Sequence, residues 1–188
     1  RFSTHEAARA ARRAAAELVN IAGGVDTLYN ERSYDGRRGE AGRDDDDAQP
    51  FHLPFPVGIA MAHNGNVTNF HELRAQQFES SGTRLNSSCD LEVILYVFAR
   101  GLNERAKPGQ KLDADAVFAA VEDVFREVKG AYSVVAALPD VGLVAFRDPF
   151  GIKPICFGTK RDENGLHFAV ASESVVLDVA GYELEGDL

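Results

Sequence analysis

The sequence predicts an α+β fold in which one strand and a set of helices precede an antiparallel meander. A short apolar run, Val57–Ala62, is typical of a buried strand. Segments after it repeat apolar residues every three or four positions, which indicates amphipathic helices with one face on a core. The last third alternates β-rich runs with turn-forming residues, as hairpins do. This order of elements predicts a mixed, layered architecture.

The first two helices are marked by capping residues and by a glycine. Asn69 has a glutamate three residues later, the spacing of a capping box, and this predicts a helix that starts at Phe70. The second helix is expected to start after Ser88 or Asp90, either of which can cap it. Gly101 is expected to end it.

The remaining elements follow from the same kind of signal. Asp113 is expected to cap a third amphipathic helix that Gly130 ends. A short helix near the chain end is expected to stop at Gly181. Between these helices, turn dipeptides separate four predicted strands, at 131–138, 143–147, 155–159 and 166–171.

Composition argues against several classes of partner. The 188 residues are 45% hydrophobic and can bury a sizeable core. Lysine and arginine number 20 against 29 acidic residues, and the net charge of −9 argues against a nucleic-acid or anionic membrane surface. No apolar run is long enough for a membrane span. The two cysteines offer no disulfide framework, so we expect a reducing, cytoplasmic location.

The start of the chain differs in composition from the rest. Residues 1–47 are rich in alanine, arginine, glycine and aspartate and are expected to lie outside the core. The run Asp44–Asp47 could attract a divalent cation loosely, although such a run is more typical of a solvated loop. We therefore divide the chain into a low-complexity segment, 1–47, and a folded domain, 48–188.

The dipeptide Asn64-Gly65 has two readings, which the residues alone leave open. It is a strong tight-turn signal, because Gly costs nothing at positive φ and Asn tolerates it. Alternatively, the backbone N–H of Gly65 and the side-chain amide of Asn64 could form an oxyanion hole, in which two donors meet developing negative charge.

Other candidate groups are equally ambiguous. Asp90 could cap a helix or pair with the α-ammonium of an amino-acid ligand. Cys89 stands at a helix start, where a thiolate is favoured, but it also fits a buried small residue, and Cys156 fits the core. His63 alone at a strand end is most often structural, and no spacing of ligands predicts a metal site. The residues alone predict no reaction.

Six motifs follow one another along the chain. They are Ala48-Gln49-Pro50-Phe51, Ala62-His63-Asn64-Gly65-Asn66 with Thr68-Asn69, Asn86–Glu92, Lys129–Tyr132, Phe146–Pro154 and Ala171–Ser174. Together they resemble the glutaminase domain of the amidophosphoribosyltransferases, also called glutamine phosphoribosylpyrophosphate amidotransferases, which are class II glutamine amidotransferases. Asparagine synthetases and glucosamine-phosphate synthases share single motifs, but the combination of the first two motifs favours the purine enzyme.

The resemblance implies an N-terminal-nucleophile hydrolase fold, a four-layer α/β/β/α sandwich. In such enzymes an N-terminal cysteine thiolate attacks the glutamine side-chain amide and its own α-amine is the base. The resemblance assigns Asn64 and Gly65 to the oxyanion hole. It assigns Asp90 to the substrate α-ammonium and makes His63 a substrate-binding residue.

The chain start departs from the family pattern. Arg1 and Thr4 match an Arg-aromatic-x-Thr motif, so Arg1 would clamp the substrate α-carboxylate. The nucleophilic cysteine that precedes this motif in relatives has no counterpart, so we expect a domain incomplete at its N-terminus and inactive as given. Residues 5–47 replace a short loop and are either an insertion or a gene-model artefact.

The resemblance also implies partners. Glutamine is the expected substrate, and the ammonia would pass to a phosphoribosyltransferase domain, absent from these residues, that binds phosphoribosylpyrophosphate with Mg²⁺. No cofactor is expected in this chain, and the whole protein is expected to be a homo-oligomer. Two alternatives stay open: a degenerate glutaminase-like binding or regulatory domain, and another class II amidotransferase of the asparagine synthetase type.

Overall fold

The computed structural model describes residues 49–82, 85–106, 111–139, 141–163 and 165–188. They form two antiparallel sheets, one ordered β1-β2-β3-β4 and the other β6-β5-β7, so the predicted α+β class is confirmed. None of the described helices is long and apolar enough to cross a bilayer. In chain order the elements are β1 (Phe51–Leu53), β2 (Ile59–Val67), α1 (Phe70–Ser81), α2 (Leu91–Arg105), α3 (Ala114–Glu127), β3 (Gly130–Leu138), β4 (Gly142–Arg147), β5 (Cys156–Asp162), β6 (Gly165–Ala171), α4 (Ser174–Ala180) and β7 (Glu183–Asp187).

Strand β2 continues through the Asn64-Gly65 dipeptide, and the expected tight turn at this point is wrong. Asn64 lies opposite Ser133 and Gly65 lies opposite Tyr132 on β3. A Cβ at Gly65 would lie 2.2 Å from the carbonyl oxygen of Ala131 and 2.6 Å from the Cα of Tyr132. The glycine is therefore required by the close approach of two strands and not by a turn.

Helix α1 starts at Phe70 as predicted, but the expected capping box is not what Asn69 forms. Its Nδ2 donates to the carbonyl oxygen of Glu127 at 2.9 Å. Its Oδ1 accepts the N–H of Lys129 at 2.9 Å. The Asn69 amide thus ties the start of α1 to the end of α3, because both of its polar atoms are used by backbone groups there.

Helix α2 passes through Gly101 and ends at Arg105, so the expected stop at Gly101 is wrong. A Cβ at Gly101 would lie 2.7 Å from Oδ2 of Asp123 and 3.1 Å from the Cα of Ala120 on α3. The guanidinium of Arg105 reaches the same carboxylate, and its Nη1 donates to Asp123 Oδ2 at 2.6 Å. The glycine allows two helices to pack closely around this buried ion pair.

The other predicted elements agree with the structure within a few residues. Asp113 caps α3, since its Oδ1 accepts the N–H of Ala116 at 2.8 Å. Gly181 ends α4 with a left-handed φ of 74°. Strands β1 and β7 were not predicted, because β1 has 3 residues and β7 carries three acidic residues among its 5.

The main core lies between the first sheet and helices α1 to α3. Met61 and Tyr132 contribute fully buried side chains from the sheet, and Leu91 and Phe98 contribute them from α2. A smaller cluster under α4 includes Cys156, as predicted for a core cysteine. Because the first sheet and α2 share this core, the packing sets the position of the start of α2 relative to β2.

Candidate functional site

Asp90 directs its carboxylate at strand β2 and does not cap the helix that it precedes. It occupies the N-cap position of α2 with helical backbone angles and makes no side-chain cap hydrogen bond. Its Oδ2 accepts the N–H of Val67 at 2.6 Å. Its Oδ1 lies 2.9 Å from Nε2 of His63. The carboxylate therefore joins the end of β2 to the beginning of α2.

Glu92 holds the loop that presents Asp90. Its carboxylate accepts the N–H of Asn86 and the N–H of Ser87, both at 2.9 Å. It also accepts the hydroxyl of Ser87 at 2.7 Å. With three charge-assisted bonds and 5% exposure, this side chain fixes the loop before α2. Glu92 is the last residue of the motif Asn86–Glu92, but no local pattern in the sequence indicated that it holds this loop.

Gln49 determines which nitrogen of His63 carries the proton. The N–H of His63 donates to Oε1 of Gln49 at 2.7 Å, and this contact orients the glutamine amide. Nε2 of Gln49, which can only donate, then lies 3.2 Å from Nδ1 of His63. Nδ1 must accept, so the proton of the neutral ring lies on Nε2 and faces Asp90. The His63 side chain is 5% exposed, and among the described residues its Nε2 makes no well-aligned hydrogen bond, so its contact with Asp90 is electrostatic.

Asp90 is anionic at neutral pH. Burial by itself would raise its pKa, but the contacts from His63 and from the Val67 N–H outweigh burial and hold the pKa below its usual range. The side chain keeps 19% exposure. A partly buried carboxylate held in one orientation is suited to bind a small organic cation.

The N–H of Gly65 points away from the β2–β3 ladder. Tyr132, opposite Gly65, uses both of its backbone groups toward Asp148: its carbonyl accepts the Asp148 N–H at 2.7 Å and its N–H donates to Asp148 Oδ2 at 3.3 Å. In an antiparallel pair such a residue exchanges no hydrogen bonds with its opposite neighbour. The Gly65 N–H is therefore directed at the outer edge of β2.

That edge carries the other two site contacts. The N–H groups of His63 and Val67, two residues before and after Gly65, point the same way and donate to Gln49 and Asp90 respectively. The Gly65 N–H thus lies between two anchored neighbours. It offers the backbone donor that the oxyanion interpretation requires, on a strand and not in a turn.

The side chain of Asn64 extends from the face of β2 opposite to that of His63, because the side chains of successive strand residues point to alternate faces. Its Oδ1 accepts a hydrogen bond from Nζ of Lys153 at 2.9 Å. The two predicted oxyanion donors are consecutive residues of β2, and the side chains of Asn64 and His63 lie on opposite faces of that strand. Lys153 lies within the motif Phe146–Pro154, but the sequence did not indicate its contact with Asn64.

His63, Cys89 and Asp90 form a cluster whose ligand atoms all lie within 4.8 Å of one another. Imidazole, thiolate and carboxylate are all zinc ligands. A metal needs the Nε2 lone pair of histidine, and metal-bound histidines donate their other N–H to an acceptor. Gln49 instead donates to Nδ1, which places the proton on Nε2. With the proton on Nε2, His63 has no lone pair there for a metal ion. We therefore assign no metal to the cluster, and an organic cation fits these hydrogen bonds better.

The two cysteines do not match an N-terminal nucleophile. Cys156 is buried in β5, its Sγ–H donates to the carbonyl oxygen of Ala171 at 3.3 Å, and burial raises the pKa of its thiol. Cys89 is half-buried in the loop before α2. Arg1, Thr4 and the run Asp44–Asp47 lie outside the described residues.

Comparisons with known proteins show the family of this domain. The family model of the glutamine amidotransferase domain matches residues 37–178. The chain belongs to this family. The amidotransferase domain is 46% identical over 144 residues to amidophosphoribosyltransferase of Escherichia coli K12, covering 76% of this chain and 28% of that protein. It is also 46% identical over 142 residues to amidophosphoribosyltransferase of Pseudomonas aeruginosa, with the same coverage of 76% and 28%.

A solved structure shows the same relationship. Glutamine phosphoribosylpyrophosphate amidotransferase of B. subtilis, in complex with ADP and GMP, superposes with a TM-score of 0.58 at 26% identity. The match covers 76% of this chain and 28% of that one, so the domain spans little more than a quarter of these relatives. The family resemblance inferred from the motifs is confirmed. Asn64, Gly65, His63 and Asp90 lie inside the matched region, and Arg1 and Thr4 lie before it.

Proposed function

We propose that this domain binds glutamine and releases its amide nitrogen as ammonia within an amidophosphoribosyltransferase. The observation that carries the proposal is the Asp90 carboxylate. It makes no cap hydrogen bond to α2, lies at the edge of β2, and has a lowered pKa that keeps it anionic. An amino-acid α-ammonium is the cation that this group would take. Arg1 and Thr4 would complete the recognition by binding the α-carboxylate, as the family motif implies.

The chemistry follows from the two donors on β2. A thiolate attacks the carbonyl carbon of the glutamine side chain, and the oxygen gains the negative charge that the Gly65 N–H and the Asn64 amide stabilise. The C–N bond then breaks, the departing nitrogen takes a proton and leaves as ammonia, and water hydrolyses the thioester to glutamate. Cys89 lies in the loop before α2 and Cys156 lies in β5, so neither matches an N-terminal nucleophile, and we propose that an N-terminal cysteine of the complete enzyme supplies the thiolate.

In the complete enzyme, a phosphoribosyltransferase domain would join the ammonia to phosphoribosylpyrophosphate and form phosphoribosylamine and pyrophosphate. Mg²⁺ would belong to that domain. We also propose that the two sheets are parts of a four-layer α/β/β/α sandwich and that the enzyme is a cytoplasmic homo-oligomer. The relatives' names support the phosphoribosyl transfer, and the two antiparallel sheets fit the proposed sandwich.

The experiment uses the complete enzyme with glutamine and phosphoribosylpyrophosphate and measures glutamate and phosphoribosylamine. N64A is expected to lower turnover by roughly a hundredfold or more, because one oxyanion donor is lost. N66A, which removes an exposed amide two residues along the same strand, is the matched control and is expected to keep wild-type turnover. Equal turnover by N64A and N66A contradicts the oxyanion assignment.

Two further outcomes identify the alternatives. A glutamine-analogue electrophile labels only an enzyme that has the reactive thiolate. Glutamine binding without covalent labelling indicates a degenerate binding or regulatory domain. ATP-dependent formation of asparagine indicates an amidotransferase of the asparagine synthetase type.

A further inference from the structure

The turn after β4 is organised by one buried carboxylate. Oδ1 of Asp148 accepts the N–H of Phe150 at 3.1 Å and of Ile152 at 3.0 Å. Its Oδ2 accepts the N–H of Lys153 at 3.0 Å. Burial by itself would raise the pKa of Asp148, but these backbone donors together lower it, and the side chain is 2% exposed. The backbone of this turn is therefore held without help from the Lys153 side chain.

Lys153 extends from that turn to the oxyanion strand. Its Nζ donates to Oδ1 of Asn64 at 2.9 Å, a contact between residues 89 positions apart. Both side chains are partly buried, so the charge-assisted bond is less screened than a surface contact. The position of the ammonium is determined by the Asp148 turn, and the position of its acceptor is determined by β2.

Anchoring the amide oxygen has a direct consequence for the amide nitrogen. The side-chain amide of Asn64 is planar, so fixing Oδ1 fixes the direction in which Nδ2 presents its two N–H bonds. A cation bound to the oxygen also withdraws electron density from the amide, which strengthens Nδ2 as a donor. A donor that is oriented before the reaction needs no reorganisation when the charge develops.

We propose that Lys153 is a positioning residue that orients and polarises the Asn64 amide for oxyanion stabilisation. This inference rests on the proposed glutaminase function. It assigns to Lys153 an effect on the transition state and little effect on glutamine binding in the ground state.

The test compares K153M, K153R and K160M in the complete enzyme proposed above. Lys160, on β5 of the second sheet, is the matched control. Its Nζ also donates to an oxygen atom, the backbone carbonyl of Ala180, at 3.1 Å. K153M is expected to lower kcat for glutamine hydrolysis by roughly tenfold or more, with KM changed less than about twofold. K153R is expected to restore part of kcat, and K160M is expected to match wild type.

A second readout does not depend on turnover. In the ¹⁵N-labelled chain, K153M is expected to shift the side-chain NH₂ signals of Asn64, and K160M is expected to leave them unchanged. If K153M keeps wild-type kcat while N64A loses activity, this inference is overturned and the proposed function stands. If the wild-type enzyme does not hydrolyse glutamine, both are overturned. Equal loss of thermal stability and of kcat in K153M and K153R, with unshifted Asn64 signals, indicates a structural role and also contradicts the inference.

Discussion

Nε2 of His63 lies 2.9 Å from Oδ1 of Asp90, and this contact joins the middle of β2 to the start of α2. Gln49 holds the opposite side of the same residue, with its Nε2 donating to Nδ1 of the imidazole and its Oε1 accepting the backbone N–H of His63. The three residues form a short chain in which a neutral amide sets the tautomer of a histidine, and the histidine sets the orientation of a carboxylate.

Removing the Gln49 amide should release the tautomer of His63. In wild type we expect the ¹⁵N spectrum to show His63 protonated on Nε2, and in Q49A we expect a mixture of both tautomers. His167 is an internal control, because its Nε2 contacts Asp162 at 2.9 Å and lies on a different sheet. A wild-type His63 protonated on Nδ1 contradicts the assignment.

Adding a methyl group at Gly65 should separate β2 from β3. Since the new Cβ would lie 2.2 Å from a backbone oxygen, G65A is expected to lower the free energy of unfolding by about 3 kcal/mol or more. G186A is the matched control in strand β7, where the nearest side-chain atom is an ordinary 3.8 Å away, and we expect a change under about 1 kcal/mol. Chemical denaturation measures both, and equal stabilities contradict the close approach.

The buried phenol of Tyr132 should make the domain sensitive to alkali. Burial, aided by the negative charge of Asp148, raises the pKa of Tyr132 from 10.0 to about 12. The native state thus keeps its proton where the unfolded state loses it, so this contribution to stability is complete below pH 10 and is lost as the pH rises toward 12.

The variant Y132F should remove that sensitivity. Among the described residues the hydroxyl of Tyr132 has no hydrogen-bond partner, so Y132F is expected to keep or raise stability at neutral pH by up to about 1 kcal/mol. Denaturation between pH 9 and 12 measures the slope, with Y182F as the control that keeps it. A Y132F slope equal to that of wild type would show that other groups cause the alkaline loss.

Local patterns predicted most of the fold. The periodicity of α2 and α3 and the cap at Asp113 carry their information within a few residues, and those elements are present. Asn64-Gly65 and Gly101 misled for one shared reason. Gly65 suggested a turn and Gly101 suggested the end of a helix, but each is required by a neighbouring strand or helix that packs too closely for a side chain.

The site was predictable only as far as its motifs reached. The family motifs indicated Asn64, Gly65, His63 and Asp90, and the structure places them along one segment of β2 and the turn beside it. The partners that orient them were not predictable. Gln49 contacts a residue 14 positions away and Lys153 one 89 positions away, and no local pattern encodes such a contact.

The most direct test of the account is calorimetric binding of L-glutamine to wild type, D90N and D113N. D113N is the matched control, because asparagine caps a helix as well as aspartate does. The second ligand is 4-carbamoylbutanoate, which is glutamine without its α-ammonium. D90N is expected to weaken glutamine binding by roughly tenfold to a hundredfold and to bind 4-carbamoylbutanoate as wild type does. Undiminished glutamine binding by D90N, or an equal loss for both ligands, would contradict the assignment of Asp90 to the α-ammonium.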